Sequence, residues 1–208
     1  MARATGDQDH ARDEPAWSPT ARFNEALKLA VRLHAFQSRK GSTIPYVSHL
    51  LAVAGLVIED GGSEDEAIAA LLHDAVEDQG GAPTLARIEE QFGPSVAHIV
   101  DGCSETDQTP KPPWPDRKKR YLDHLRTADT HTLRVALADK LHNARAMLRD
   151  RRGSDDSFWT RFNAPRDAQA AYFRSLITVF RGREATGEFT TRFLDEFEDV
   201  VVQLFGMT

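Results

Sequence analysis

Apolar residues recur along this chain three and four positions apart, the repeat of one face of an α-helix, and runs alternating at every second position are missing. Phe23, Ala26, Leu27, Ala30, Leu33 and His34 share one face and predict a helix from Arg22 to Phe36, closed by Lys40 and Gly41. After a loop from Gly41 to Pro45, a second helix starts near Tyr46. It carries Leu50, Leu51, Val53, Ala54, Val57 and Ile58 and stops at Gly61-Gly62. Ser63 and Glu66 have the spacing of a capping box, in which each side chain accepts the other residue's backbone N–H. They predict a third helix that carries Ile68, Leu71, Leu72 and then His73-Asp74, ending at Gly80-Gly81.

Short helices are expected from Thr84 to Phe92 and from Pro94 to about Ser104, with Gly93-Pro94 between them. Asp107 to Pro115 holds four prolines and reads as an exposed loop. A helix through Tyr121, Leu122 and Leu125 follows, then one from about Thr130 to Leu148. A charged loop spans Arg149 to Ser157, and two last helices run near Pro165 to Phe180 and Glu188 to Leu204. The fold class is therefore all-α, a single bundle of about eight to ten helices over residues 20–208. The polar stretch 1–19 is expected to be a disordered arm, since it has no apolar segment of the kind a secretory signal carries.

Composition narrows the setting. At 208 residues, 40% hydrophobic and 28% charged, the chain is long enough to bury one substantial core. No apolar run reaches the roughly 20 residues of a membrane span. The net charge of −6 argues against nonspecific nucleic-acid binding, so an anionic substrate needs a local basic pocket. Arg39-Lys40 and Arg117-Lys118-Lys119-Arg120 are the candidates for it. The single cysteine, Cys103, excludes an internal disulfide and fits a reducing cytoplasm; with no base beside it, a small buried thiol is expected. Phe193, Leu194, Phe197, Val200, Val201, Leu204 and Phe205 make the last helix apolar on one side, expected to close the core, with a homodimer contact as its second role.

Candidate chemistry sits where polar ligands interrupt apolar helical runs. His49, His73-Asp74 and Asp139 are two imidazoles and two carboxylates, a set suited to a catalytic divalent metal more than to structural zinc. Several polar side chains meeting in a core are costly without a counter-charge, and a cation supplies one. Glu77-Asp78 follow one helical turn after the His-Asp pair, and Asn143 lies one turn after Asp139, so both share the faces that carry ligands. His34 and His142 fit either core packing or a supporting role; His10, His98, His124 and His131 read as surface residues. The whole points to a metal-dependent hydrolase.

Four blocks carry a resemblance: Arg39-Lys40-Gly41 with Pro45-Tyr46-Val47-Ser48-His49; Ala69-Ala70-Leu71-Leu72-His73-Asp74-Ala75-Val76-Glu77-Asp78; Phe92-Gly93-Pro94-Ser95-Val96 with Ile99-Val100-Asp101-Gly102; and Leu137-Ala138-Asp139-Lys140-Leu141-His142-Asn143. In this order, over about Ala21 to Tyr172, the chain resembles HD-domain phosphohydrolases. Within them it resembles the hydrolase domain of RelA/SpoT enzymes, including small alarmone hydrolases and the metazoan SpoT homologue. The resemblance implies a cytoplasmic, Mn²⁺-dependent enzyme (another divalent metal being the alternative) that removes the 3′-pyrophosphate of ppGpp or pppGpp, and a place as antitoxin beside an alarmone synthetase. It implies His49, His73, Asp74 and Asp139 as metal ligands and Glu77 and Asp78 as the pair linked to water activation. Arg39 and Lys40 would flank the guanine, Asn143 would touch the ribose, and Ser48, Lys118 and Tyr172 would contact substrate, with Lys119 and Arg120 drawing in the diphosphate. Two positions that are basic in that branch are Ala136 and Ala168. They leave the phosphate grip to Arg145 or the Lys118 cluster, or point to another nucleotide such as NADPH.

Overall fold

The computed structural model describes residues 17–106, 108, 110–152 and 156–206. The arm expected over 1–19 therefore lies, up to residue 16, outside the described residues. Among the described residues there are ten α-helices and no strand: α1 (Ala21–Leu33), α2 (Val47–Glu59), α3 (Glu64–Leu72), α4 (Ala75–Asp78), α5 (Ala82–Phe92), α6 (Pro94–Cys103), α7 (Trp114–Leu125), α8 (Thr130–Arg151), α9 (Arg166–Ala185) and α10 (Leu194–Phe205), with a 3-10 segment at Asp156–Arg161. No helix among them is long and apolar enough to cross a membrane.

Local chemistry sets most boundaries. The Thr20 hydroxyl accepts the Arg22 N–H at the start of α1, and Asp129 accepts the Thr132 N–H at the start of α8. Both halves of the Ser63–Glu66 capping box form, at 2.7 and 3.3 Å. Gly93, at φ +90°, ends α5 and opens α6 at once, a conformation side chains resist. In α3 every residue from Glu66 to Leu72 is buried, because α1, α2, α6 and α8 all pack around it. The apolar side of α10 (Phe197, Val201, Leu204 and Phe205) is buried against α8 and α9. It closes the core, and the face considered above for a homodimer contact is not on the surface.

Several boundaries differ from the sequence reading. The first helix stops at Leu33, three residues before Phe36, which is fully exposed. His34 turns inward instead, stacking on Tyr46 at 5.2 Å. Residues 34–46 fold back as a tight loop, closed by a bridge between Ser38 and Pro45 and by the Arg39 N–H on the Ile44 carbonyl at 2.8 Å. The third helix ends at Leu72, so His73-Asp74 lie in a break before α4 and not inside one helix. Trp114 and Pro115 belong to the first turn of α7, where proline costs no hydrogen bond. α8 continues to Arg151, α9 reaches Ala185, and α10 starts only at Leu194.

Glu66 also ties α3 to α8. Its carboxylate pairs with Arg134, whose Nε donates to Asp60 Oδ2 at 3.1 Å. The Asp60 and Glu66 side chains are only 4% and 3% exposed. Arg134→Ala is therefore expected to lower stability by about 3 kcal/mol, because two buried carboxylates lose the cation they share and keep only their other donors; urea unfolding measures it. Burial alone would raise the Glu66 pKa, but the Ser63 N–H and Arg134 outweigh it and hold the carboxyl below its usual value. A carboxyl depressed in the folded state stabilises above its unfolded pKa and loses that contribution as pH falls through the folded one. Wild-type stability is expected to drop below about pH 4.5 more steeply than that of Glu66→Gln.

Candidate functional site

Three elements bring the proposed ligands together: His49 from the first turn of α2, His73 and Asp74 from the break between α3 and α4, and Asp139 from the buried middle of α8. One donor atom each from His49, His73 and Asp74 lie within 4.8 Å of one another. Asp139 joins them, its Oδ1 being 3.1 Å from His49 Nε2 and 3.6 Å from His73 Nε2; Asp74 Oδ2 lies 3.0 Å from His73 Nε2 and 3.5 Å from His49 Nε2.

The ring tautomers follow from the other nitrogens. His73 Nδ1 donates to the Ala70 carbonyl at 2.8 Å, and His49 Nδ1 meets His142 Nδ1 at 2.7 Å. Burial, with His49 and Arg39 nearby, lowers the His142 pKa to about 4 and keeps it neutral; with His49 Nε2 left free for a cation, His49 Nδ1 is the donor and His142 Nδ1 the acceptor. Both Nε2 atoms are buried without a hydrogen-bond partner and are aimed at carboxylate oxygens. Lone pairs facing lone pairs need a cation between them, and the four residues fit one divalent ion with nitrogen and oxygen donors. Burial disfavours a proton on His73, but Asp74 and Asp139 outweigh it and raise its pKa, so proton and metal ion compete for the same place.

A supporting layer fixes the carboxylates. The Tyr46 hydroxyl donates to Asp74 Oδ2 at 2.6 Å, and burial beside Asp74 raises its pKa so that it stays a donor. Asn143 Nδ2 donates to Asp139 Oδ1 at 2.6 Å, and Lys140 Nζ donates to Asp139 Oδ2 at 2.7 Å. Neither Tyr46 nor Lys140 was singled out from the sequence. The phenol beside a Val-Ser-His run and the lysine next to Asp139 were the available signals.

Asp74 and Asp139 form part of the wall of a cavity of about 640 Å³, with the two histidines buried behind them. Glu77, Asp78, Arg39, Lys40, Ser48, Lys118, Asn143 and Tyr172 all face this cavity as well. Arg39 donates to Asn143 Oδ1 at 2.6 Å and lies over the Tyr46 ring, while Lys40 donates to Asn163 at 2.9 Å. Glu77 takes Lys111 at 2.9 Å and the Glu105 N–H at 3.3 Å; Asp78 takes Lys111 at 3.1 Å and Gln37 at 2.8 Å. The basic run divides differently from expectation. Arg117 and Lys118 turn into the cavity, whereas Lys119 is exposed and pairs with Asp123, and Arg120 is exposed. Arg145 is held by Glu196 and does not line the cavity. Cys103 is buried at the cavity wall, and burial pushes its thiol pKa up, as a role without reactivity requires. Ala136 is buried and Ala168 half-buried.

Comparison with known proteins gives consistent matches. The family described as HD domain matches residues 26–157. A probable GTP pyrophosphokinase of Mycobacterium leprae is 37% identical over 123 residues, which are 59% of this chain and 15% of that protein. The guanosine-3′,5′-bis(diphosphate) 3′-pyrophosphohydrolase MESH1 of Xenopus tropicalis is 37% identical over 135 residues, 64% of this chain and 73% of the frog protein. The chain thus spans a small part of the bacterial relative and most of the animal one. A solved structure described as a metazoan ortholog of SpoT that hydrolyzes ppGpp and plays a role in starvation responses superposes with a TM-score of 0.71 at 26% identity. That match covers 93% of this chain and all of the other.

Proposed function

The chain belongs to the HD domain family, and from that membership we propose that it hydrolyses ppGpp and pppGpp, releasing pyrophosphate with GDP or GTP. The observation that carries the reading is the pair of buried, unpartnered imidazole Nε2 atoms facing Asp74 and Asp139 at the wall of a cavity that also holds Arg39 and Lys40. The match over most of a frog protein named for this reaction supports the substrate.

His49, His73, Asp74 and Asp139 would hold one divalent cation, Mn²⁺ in this proposal. When bound, such an ion neutralises phosphate charge and lowers the pKa of water. Glu77 would take the proton of the attacking water, with Asp78 orienting it. The water oxygen bonds to the phosphorus on the ribose 3′ oxygen, the bond between that phosphorus and the 3′ oxygen breaks, and the 3′ oxygen leaves with a proton. The Arg39 guanidinium offers a plane on which guanine can stack, with Lys40 on its other flank. Asn143 would contact the ribose, and Ser48, Lys118 and Tyr172 other parts of the substrate.

Incubating purified protein with Mn²⁺ and ppGpp tests the reaction by the appearance of GDP and pyrophosphate; no turnover with metal bound would overturn it. The same assay with NADPH, read by released phosphate, tests the second substrate that Ala136 and Ala168 favour. Tyr46→Phe is expected to weaken Mn²⁺ binding by about tenfold in calorimetry, since Asp74 loses the hydroxyl that orients it.

A further inference from the structure

The loop that carries Arg39 and Lys40 is held from outside as well as from within. Within it, the Arg39 carbonyl accepts the Ser42 N–H and the Ser42 hydroxyl, both at 3.0 Å. They close a turn whose third residue is Gly41 at φ +74°, a conformation that glycine takes without strain. From outside, Arg161 lies against the same glycine: a Cβ built on Gly41 would stand 3.1 Å from Arg161 Cδ. Two residues further on, Asn163 Oδ1 accepts from Lys40 Nζ at 2.9 Å.

Arg161 is itself fixed. Its guanidinium carbon lies 4.2 Å from the centre of the Phe158 ring and 5.0 Å from that of Phe162, and Nη2 donates to Asp150 Oδ2 of α8 at 3.0 Å. Phe158 and Trp159 are buried and meet edge to face at 4.9 Å, and Trp159 stacks on Phe205 of α10 at 5.4 Å. Cation–ring contacts of this kind gain strength where water is excluded. Residues 158–163 therefore connect the loop to α8 and α10, while its outer edge is exposed at Lys40, Gly41 and Ile44. An arginine plane that receives a base must keep its orientation before the base arrives, or binding bears the cost of ordering it. Among the described residues, the hydrogen bonds and ring contacts of Arg161 and Asn163 run to Asp150, Lys40 and aromatic rings, and not to the four proposed metal ligands.

We propose that residues 158–163 form a clasp that pre-sets the Arg39–Lys40 loop for the nucleobase, with Arg161 and Asn163 as positioning residues acting through Gly41 and Lys40. The clasp governs how tightly the nucleoside part of the substrate binds and leaves the chemistry at the metal unaffected. It rests on the reading of Arg39 and Lys40 as the pair that flanks the guanine, but the state of the loop is measurable without substrate.

The test uses the full chain loaded with Mn²⁺. Arg161→Ala is expected to raise KM for ppGpp about tenfold with kcat within about twofold of wild type, the pattern of binding lost equally from ground and transition states. Amide exchange across residues 37–46, where the Arg39 N–H meets the Ile44 carbonyl and the Tyr46 N–H the Gln37 carbonyl, should quicken at least about fivefold. The Mn²⁺-dependent thermal shift should stay as it is. Asn163→Ala removes an exposed hydrogen-bond partner and no packing. It should raise KM about threefold and quicken the same amides, so it decides the matter even if Arg161→Ala folds poorly. Wild-type KM in the folded variants, wild-type exchange over 37–46 in them, or a fall in kcat without a rise in KM would overturn the clasp. Absence of ppGpp turnover by wild type would overturn the reaction alone, and the exchange measurement would then still support or overturn the clasp.

Discussion

Asp74→Asn is expected to reduce ppGpp hydrolysis by at least about a thousandfold and to remove the stabilisation that Mn²⁺ gives the protein. The side chain keeps its shape but loses the charge that faces His73 Nε2 at 3.0 Å and His49 Nε2 at 3.5 Å. A divalent ion in such a site is worth several kcal/mol of transition-state stabilisation, and each 1.36 kcal/mol is about tenfold in rate. At a Mn²⁺ concentration about 100 times its dissociation constant, wild-type protein should gain about 2.7 kcal/mol of stability. Thermal unfolding with and without Mn²⁺ reads that gain directly. If Asp74→Asn keeps either the turnover or the metal-dependent shift, the assignment of Asp74 as a ligand is wrong.

Glu77→Gln should separate proton transfer from metal binding. We expect its kcat to fall by about a hundredfold to ten-thousandfold, the range for a lost general base, with the Mn²⁺-dependent thermal shift unchanged. Glutamine keeps an oxygen that can accept the Glu105 N–H, which Glu77 holds at 3.3 Å, and Lys111, on losing Glu77, keeps Asp78 at 3.1 Å. What glutamine cannot do is take a proton from water. A variant with wild-type kcat would remove Glu77 from the mechanism, and one that lost its metal response would make it a ligand instead.

The helical class, the long α8 and the apolar closure by α10 were legible because amphipathic spacing is a local signal. The break after Leu72 was not. Residues 69–78 are mostly good helix formers with no glycine or proline, so nothing local marks the point where His73 becomes a cap with its ring on the Ala70 carbonyl. The overlong first helix has the same origin: His34 leaves the helix for Tyr46, twelve residues on, a tertiary preference that no spacing reveals. At the site, the four ligands, Lys118 and Tyr172 were legible, whereas Tyr46 and Lys140, which stand beside ligands in the sequence, and Glu105 were not. Glu105, in the loop after α6, gathers Arg117 and Lys118 from α7 and Lys140 from α8, and its own neighbours, Ser104 and Thr106, say nothing about them. Which of four consecutive basic residues face inward depends on where α7 starts; the prolines around Trp114 obscured that boundary.

The loop that carries Arg39 and the turn that carries Asp74 are joined by a ladder of side chains. Tyr46 holds Asp74, Gln37 holds Asp78, and Gln79 donates to Gln37 at 2.7 Å. For anyone exchanging segments between relatives, residues 37–46 and 74–79 are therefore one cassette. A graft of either stretch alone would bring a donor without its acceptor. Substitutions at Gln37 and Gln79 should be tolerated as matched pairs more readily than singly, so altering this protein's choice of nucleobase would mean redesigning both stretches together.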